Sequence, residues 1–137
     1  MACGSMAEAD ALALLAIARR DLQAAQGMAD TTTFHEAVWG FRVQQTIEKA
    51  LKAWLYLSGL EPPFTHDLVA LLKLLQQVGI DIAPHRDLAR FTDFAVQIRY
   101  DHQPDLQNLD RSSWNSRAEA LVVFIEAMIP PPASSWP

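Results

Sequence analysis

The chain has 137 residues, half of them hydrophobic, with 11 Lys and Arg against 16 Asp and Glu for a formal charge of −5. That length accommodates one domain, which buries about two-thirds of its unfolded surface and needs neither metal nor disulfide to fold. An acidic chain lacks the basic face of a general nucleic-acid coat, yet leaves room for a local pocket that takes one nucleotide.

No apolar run approaches the roughly 20 residues of a membrane span, so no membrane partner is expected. No basic stretch leads into an apolar one in the manner of a secretory signal. A single cysteine, Cys3, excludes an intramolecular disulfide and fits a reducing, cytoplasmic setting. Residues 1–6 read as an N-terminal extension or cloning remnant, with Met6 a candidate native start.

The hydrophobic period is helical almost throughout. Ala11, Leu14, Leu15, Ala18, Leu22 and Ala25 form one stripe of a first helix over 7–26, which Gly27 closes. Thr33-x-x-Glu36 has the form of a capping box for a second helix running to about Ser58, with Gly59 as its stop. Pro62 and Pro63 make a rigid connector. Thr65 is a candidate N-cap for a third helix over 66–78, ended by Gly79, whose apolar face is Leu68, Leu71, Leu72 and Leu75. A fourth helix is predicted from Pro84, with Leu88, Phe91, Phe94, Ala95 and Ile98 inward. Residues 100–113 read as loop, and Ser116-x-x-Glu119 as the capping box of a fifth helix carrying Leu121, Phe124, Ile125 and Met128. The expected fold is all-α: an antiparallel up-and-down bundle of four to five helices over 7–129, followed by a disordered Pro/Ser tail over 130–137.

The second helix carries an anomaly. It is apolar on two nearly opposite sides, and Gln44, Gln45, Glu48 and Lys52 interrupt one of them. One reading is a solvated strip with a Glu48–Lys52 pair at i,i+4, contributing about 0.2–0.5 kcal/mol. The other is a cleft or subunit interface lined by amides and an ion pair. Arg99-Tyr100-Asp101-His102 ends the fourth helix, where a cation is favoured by the helix dipole and where the planar fork of Arg99 suits a phosphate. His35, His66 and His85 each open a helix; no two histidines have zinc-motif spacing, so no metal site is expected. Trp39, Trp54, Trp114 and Trp136 read as core and interface anchors.

The run Gln44-Gln45-Thr46-Ile47-Glu48-Lys49-Ala50-Leu51-Lys52-Ala53, followed by Gly59, His66-Asp67-Leu68, Leu71-Leu72 and Arg99-Tyr100, resembles a HEPN domain over roughly Ala7 to Met128. The name stands for higher-eukaryote and prokaryote nucleotide-binding. The resemblance implies a helical bundle, often a homodimer, without a cofactor. Many bacterial members pair with a minimal nucleotidyltransferase as toxin and antitoxin. The toxins are metal-independent RNases, in which an Arg is followed, after roughly four to six residues, by a His. Here only two residues separate Arg99 from His102, and no other Arg–His pair has the family's gap. The expectation is therefore a non-catalytic HEPN domain that dimerises and binds a nucleotide or an RNA end. In it Arg99 and Lys52 contact phosphate, while Gln45 and Glu48 read polar edges or orient the cations. Two other readings stand beside it: a toxin-type RNase using Arg99 and His102 with a departed motif, and a structural partner of a nucleotidyltransferase with no ligand of its own.

Overall fold

The computed structural model describes residues 6–95 and 109–131, which are helical and contain no strand. Helix α1 spans Met6–Gly27, α2 Glu36–Leu57 and α3 Leu68–Gln77. A 3-10 helix, Ala83–Phe91, runs into helical residues 92–95, and α4 spans Arg111–Glu126. No described helix is long and apolar enough to cross a membrane. Arg99 and His102, like 1–5 and the tail over 132–137, lie outside the described residues.

The stripe read from the first helix is the buried face of α1: Ala11, Leu15, Ala18, Leu22 and Ala25 are all at most 3% exposed. A short link returns the chain so that α2 packs antiparallel on α1, with Arg42 on Asp21 at 2.9 Å across the pair. Helix α2 is central, touching α1, α3, α4 and the 3-10 helix. One of its two apolar sides is core, with Val43, Ile47, Ala50, Leu51 and Trp54 buried; on the other Leu55 is buried but Val38 is exposed, so that side is only partly covered.

Helix α4 closes the bundle against α1 and α2 through polar groups inside the core. Buried Asn115 accepts a hydrogen bond from Trp39 Nε1 at 2.9 Å and donates to the Ala25 carbonyl at 3.2 Å. Arg111, 5% exposed, donates to the carbonyls of Met28 and Asp30 and lies over the Trp39 ring at 5.4 Å. The start of α4 is thereby tied to the α1–α2 link, where free carbonyls at a helix end need donors.

Three helix starts differ from the sequence expectation. In two of them the threonine of the expected cap is engaged elsewhere, and in each case another residue takes its place. Thr33 donates to the Asp30 carboxylate, so α2 is capped by His35, whose Nδ1 accepts from Ala37 N at 3.0 Å. Thr65 accepts from Asp67 N, and Asp67 in turn caps α3 through Val69 N. Ser116 lies inside α4, which already begins at Arg111 after Asp110 as its N-cap. Of the residues expected inward at this end, Phe124 and Met128 are 49% and 38% exposed, while Val122 is buried.

The fourth helix differs in kind. Residues 83–91 form a 3-10 helix rather than an α-helix. His85, Leu88, Phe91 and Phe94 recur strictly every three residues. A helix of three residues per turn stacks such a row on one face, and Leu88, Phe91 and Phe94 are buried there. Phe91 and Phe94 stack at 5.5 Å, and both meet the Trp39 ring edge-on at 5.7 and 6.4 Å. Phe94 lies against Gly40, where a Cβ would fall within its ring. Gly59 and Gly79 end α2 and α3 with φ of +83° and +90°, as their placement predicted.

Candidate functional site

The polar residues that interrupt α2 are not a solvated strip. Glu48 is 2% exposed and Gln44 fully buried. Both Glu48 oxygens are taken. Oε1 accepts from Gln44 Nε2 at 2.9 Å and from His66 Nδ1 at 2.8 Å, and Oε2 accepts from Lys52 Nζ at 2.9 Å. The array continues along the helix: Gln45 Nε2 donates to Gln44 Oε1 at 2.7 Å, and Lys49 Nζ donates to Gln45 Oε1 at 2.7 Å. Lys49 Nζ also stands 3.9 Å from Glu48. Gln44 reaches the His66 carbonyl at 3.3 Å, so the segment between α2 and α3 is held over this cluster by both its backbone and its ring.

The helical period explains the placement. Residues 44, 45, 48, 49 and 52 are three or four apart along one side of α2. The return segment after Gly59 brings His66 back beside residues 44 and 48. Among the sequence candidates, the structure brings Gln45, Glu48 and Lys52 into one hydrogen-bonded network. Arg99 and His102 lie outside the described residues. His66 was missed as a site residue, although the His66-Asp67-Leu68 run was part of the resemblance. By spacing alone it is only the residue that opens the third helix, after Thr65 as the cap.

Two opposed effects act on Glu48. Burial, the largest single one, would raise its pKa, since removal from water disfavours the charged form. The hydrogen bonds from His66, Lys52 and Gln44, with the nearby Lys49 charge, together outweigh it and leave the carboxyl below its ordinary value. A carboxyl lowered in the folded state contributes stability that is present above its unfolded pKa and lost as pH falls through the folded one. Urea unfolding across the acid range should therefore lose part of its pH dependence in Glu48→Gln. Asp87 and Asp110 are lowered too, by hydrogen bonds from Arg117 and Ser113, so the readout is the difference from wild type. An acid limb identical in the two proteins would mean that Glu48 is not held this way.

The chemistry available is that of a positioned cationic edge. Lys52 and Lys49 have side chains only 15% and 20% exposed and are each fixed by an acceptor. Among the described residues no group of three or more His, Cys, Asp or Glu is placed to hold a metal ion. Elsewhere, a cleft of about 470 Å³ between the 3-10 helix and α4 is lined by Leu88, Leu121, Phe124 and His85. Burial, followed by the Arg117 charge, lowers the His85 pKa.

No curated protein and no solved structure matches the chain in comparisons of sequence and fold. The family comparison is positive: the HEPN domain model matches residues 11–128, from within α1 to beyond the end of α4, and takes in the Glu48 cluster. With a match over most of its length and the all-helical bundle described above, the chain belongs to the HEPN domain family.

Proposed function

We propose that this protein is a non-catalytic HEPN module of the cytoplasm that forms a homodimer, binds a nucleotide or an RNA end, and works with a nucleotidyltransferase partner. The observation that carries the reading is the Glu48 cluster. A buried carboxylate, on a helix otherwise given to core packing, holds Lys52 directly and Lys49 through Gln44 and Gln45. Such a network is costly to build in a core, because every buried polar group must find a partner. What it provides is two ammonium groups whose freedom is already spent before an anion arrives, which reduces the ordering cost of binding.

In this reading the roles within the site divide. Both oxygens of Glu48 are occupied, so it orients cations rather than reading a ligand edge. Lys52 spends one of its three donors on Glu48 and has two for phosphate. Gln45 bridges Gln44 and Lys49 and meets a ligand with its remaining amide hydrogen. Arg99 supplies a forked phosphate contact from the segment after the 3-10 helix. The two-residue gap between Arg99 and His102 favours binding over cleavage, because a general acid–base His must reach the reacting hydroxyl.

Calorimetry with AMP, GMP, ATP and a short RNA tests this. Wild type should bind at least one of them, and Lys52→Ala and Arg99→Ala should each weaken it about tenfold, or ~1.4 kcal/mol. No heat from wild type with any of the four, or affinity unchanged in both variants, would overturn the proposal.

A further inference from the structure

The Glu48 cluster contains one member that the roles above do not use. His66 lies outside α2, 18 residues along the chain from Glu48, yet its Nδ1 is 2.8 Å from the Glu48 carboxylate. The two partners differ sharply in environment: the carboxylate side chain is 3% exposed and the imidazole 66%. An ionised carboxylate can only accept, so His66 Nδ1 carries a proton. The second ring nitrogen, Nε2, is then on the opposite, outward edge. A ring nitrogen fixed by a buried carboxylate sets both tautomer and orientation. A surface histidine needing only a capping partner would not require a buried charge beneath it, and α3 is capped by Asp67 instead.

We infer that His66 is a phosphate-contacting residue of this site, held by Glu48 with Nε2 outward so that its protonated ring, beside Lys52 and Lys49, donates to a phosphodiester oxygen. The inference rests on the nucleotide-binding reading and adds to it a residue and a ligand group. Glu48 bonds the ring, Lys52 and Lys49 stand at the same carboxylate, and Asp67 is next in the chain. Asp67 faces Val69 N as the α3 cap. The hydrogen bonds of the cluster hold the Glu48 carboxyl below its ordinary range.

The test uses the dinucleotide ApA, whose diester phosphate does not titrate near neutrality, so any pH dependence of binding belongs to the protein. Affinity of the full chain for ApA should rise about tenfold from pH 8 to pH 5.5. In His66→Gln the dependence should flatten; the residue is largely exposed, so the substitution leaves the core intact. Long-range nitrogen-15 spectra should show wild-type His66 as the Nδ1–H tautomer at high pH, with Nε2 shifting as ApA is added. If ApA binds with the same pH dependence in His66→Gln, or with Nε2 unmoved, the inference is overturned while the nucleotide-binding reading stands. If ApA does not bind at any pH, both the inference and the RNA arm of that reading fall.

Discussion

Glu48→Ala should destabilise the protein by about 3 kcal/mol, measured as a fall in the urea midpoint with little change in slope. Removing one partner of a buried charge pair typically costs about 3–5 kcal/mol, chiefly because the other partner is left uncompensated. Here three donors converge on the lost carboxylate, from Gln44, His66 and Lys52. The lower end of the range applies because two of them have an escape. His66 is mostly exposed and can turn to water, and the Lys52 stem can carry its ammonium outward. Gln44 has none, being fully buried. Against a usual total stability of about 5–15 kcal/mol, this is a large fraction. Glu48→Gln should cost less, since it keeps one acceptor, but its amide nitrogen must face another donor. A loss below about 1 kcal/mol for Glu48→Ala would show that the donors find water in the folded state and that the cluster is not a closed network.

The second large effect comes from the smallest side chain in α2. In an exposed helix, Gly→Ala stabilises by about 1 kcal/mol. At Gly40 the sign should reverse. The new Cβ would occupy space held by the Phe94 ring, which is itself stacked on Phe91 and edge-on to Trp39. Because three rings share the contact, Phe94 cannot yield alone, and overpacking of a tight core costs about 1–3 kcal/mol, occasionally more. A net loss of about 2 kcal/mol is expected for Gly40→Ala by thermal or urea unfolding. Phe94→Leu in the Gly40→Ala background should recover part of that loss, giving a non-additive double-mutant cycle as neighbouring sites do. Gly40→Ala as stable as wild type would mean that the ring does not occupy this position.

What the sequence revealed and what it hid follow from the range of the forces involved. The stripe of α1 and the two-sided α2 are periodic and local, so Ala11 to Ala25 and Val43 to Trp54 could be placed on buried faces from spacing alone. Gly59 and Gly79 were legible because a positive φ leaves few alternatives. The caps were not, because competition decides them. Thr33 and Thr65 have nearby partners that spacing does not rank, and Asp30, His35 and Asp67 win the geometry. The 3-10 helix was visible in principle, as the unbroken three-residue rhythm from His85 to Phe94, but it was counted as a loose α-period.

The site was half legible. Glu48 and Lys52 stood out as a pair, and Gln45 as its neighbour. Their burial was not legible, because it depends on a return segment that folds back over them. His66 lay beyond any helical spacing argument, and only a tertiary contact joins it to Glu48. Gly40 carried no local signal, since the ring that claims its space lies in another element.

The polar ties of α4 have a consequence for how the chain reaches its folded state. The α1–α2 pair meets across 21 residues at Asp21 and Arg42. Glu126 of α4 reaches Arg19 across 107 residues, through two hydrogen bonds. Loop-closure entropy grows only logarithmically, so the longer closure costs about 1.4 kcal/mol more than the shorter one. The α1–α2 hairpin is therefore expected to form first, with α4 docking after it and burying Arg111 and Asn115 against the link end of the hairpin.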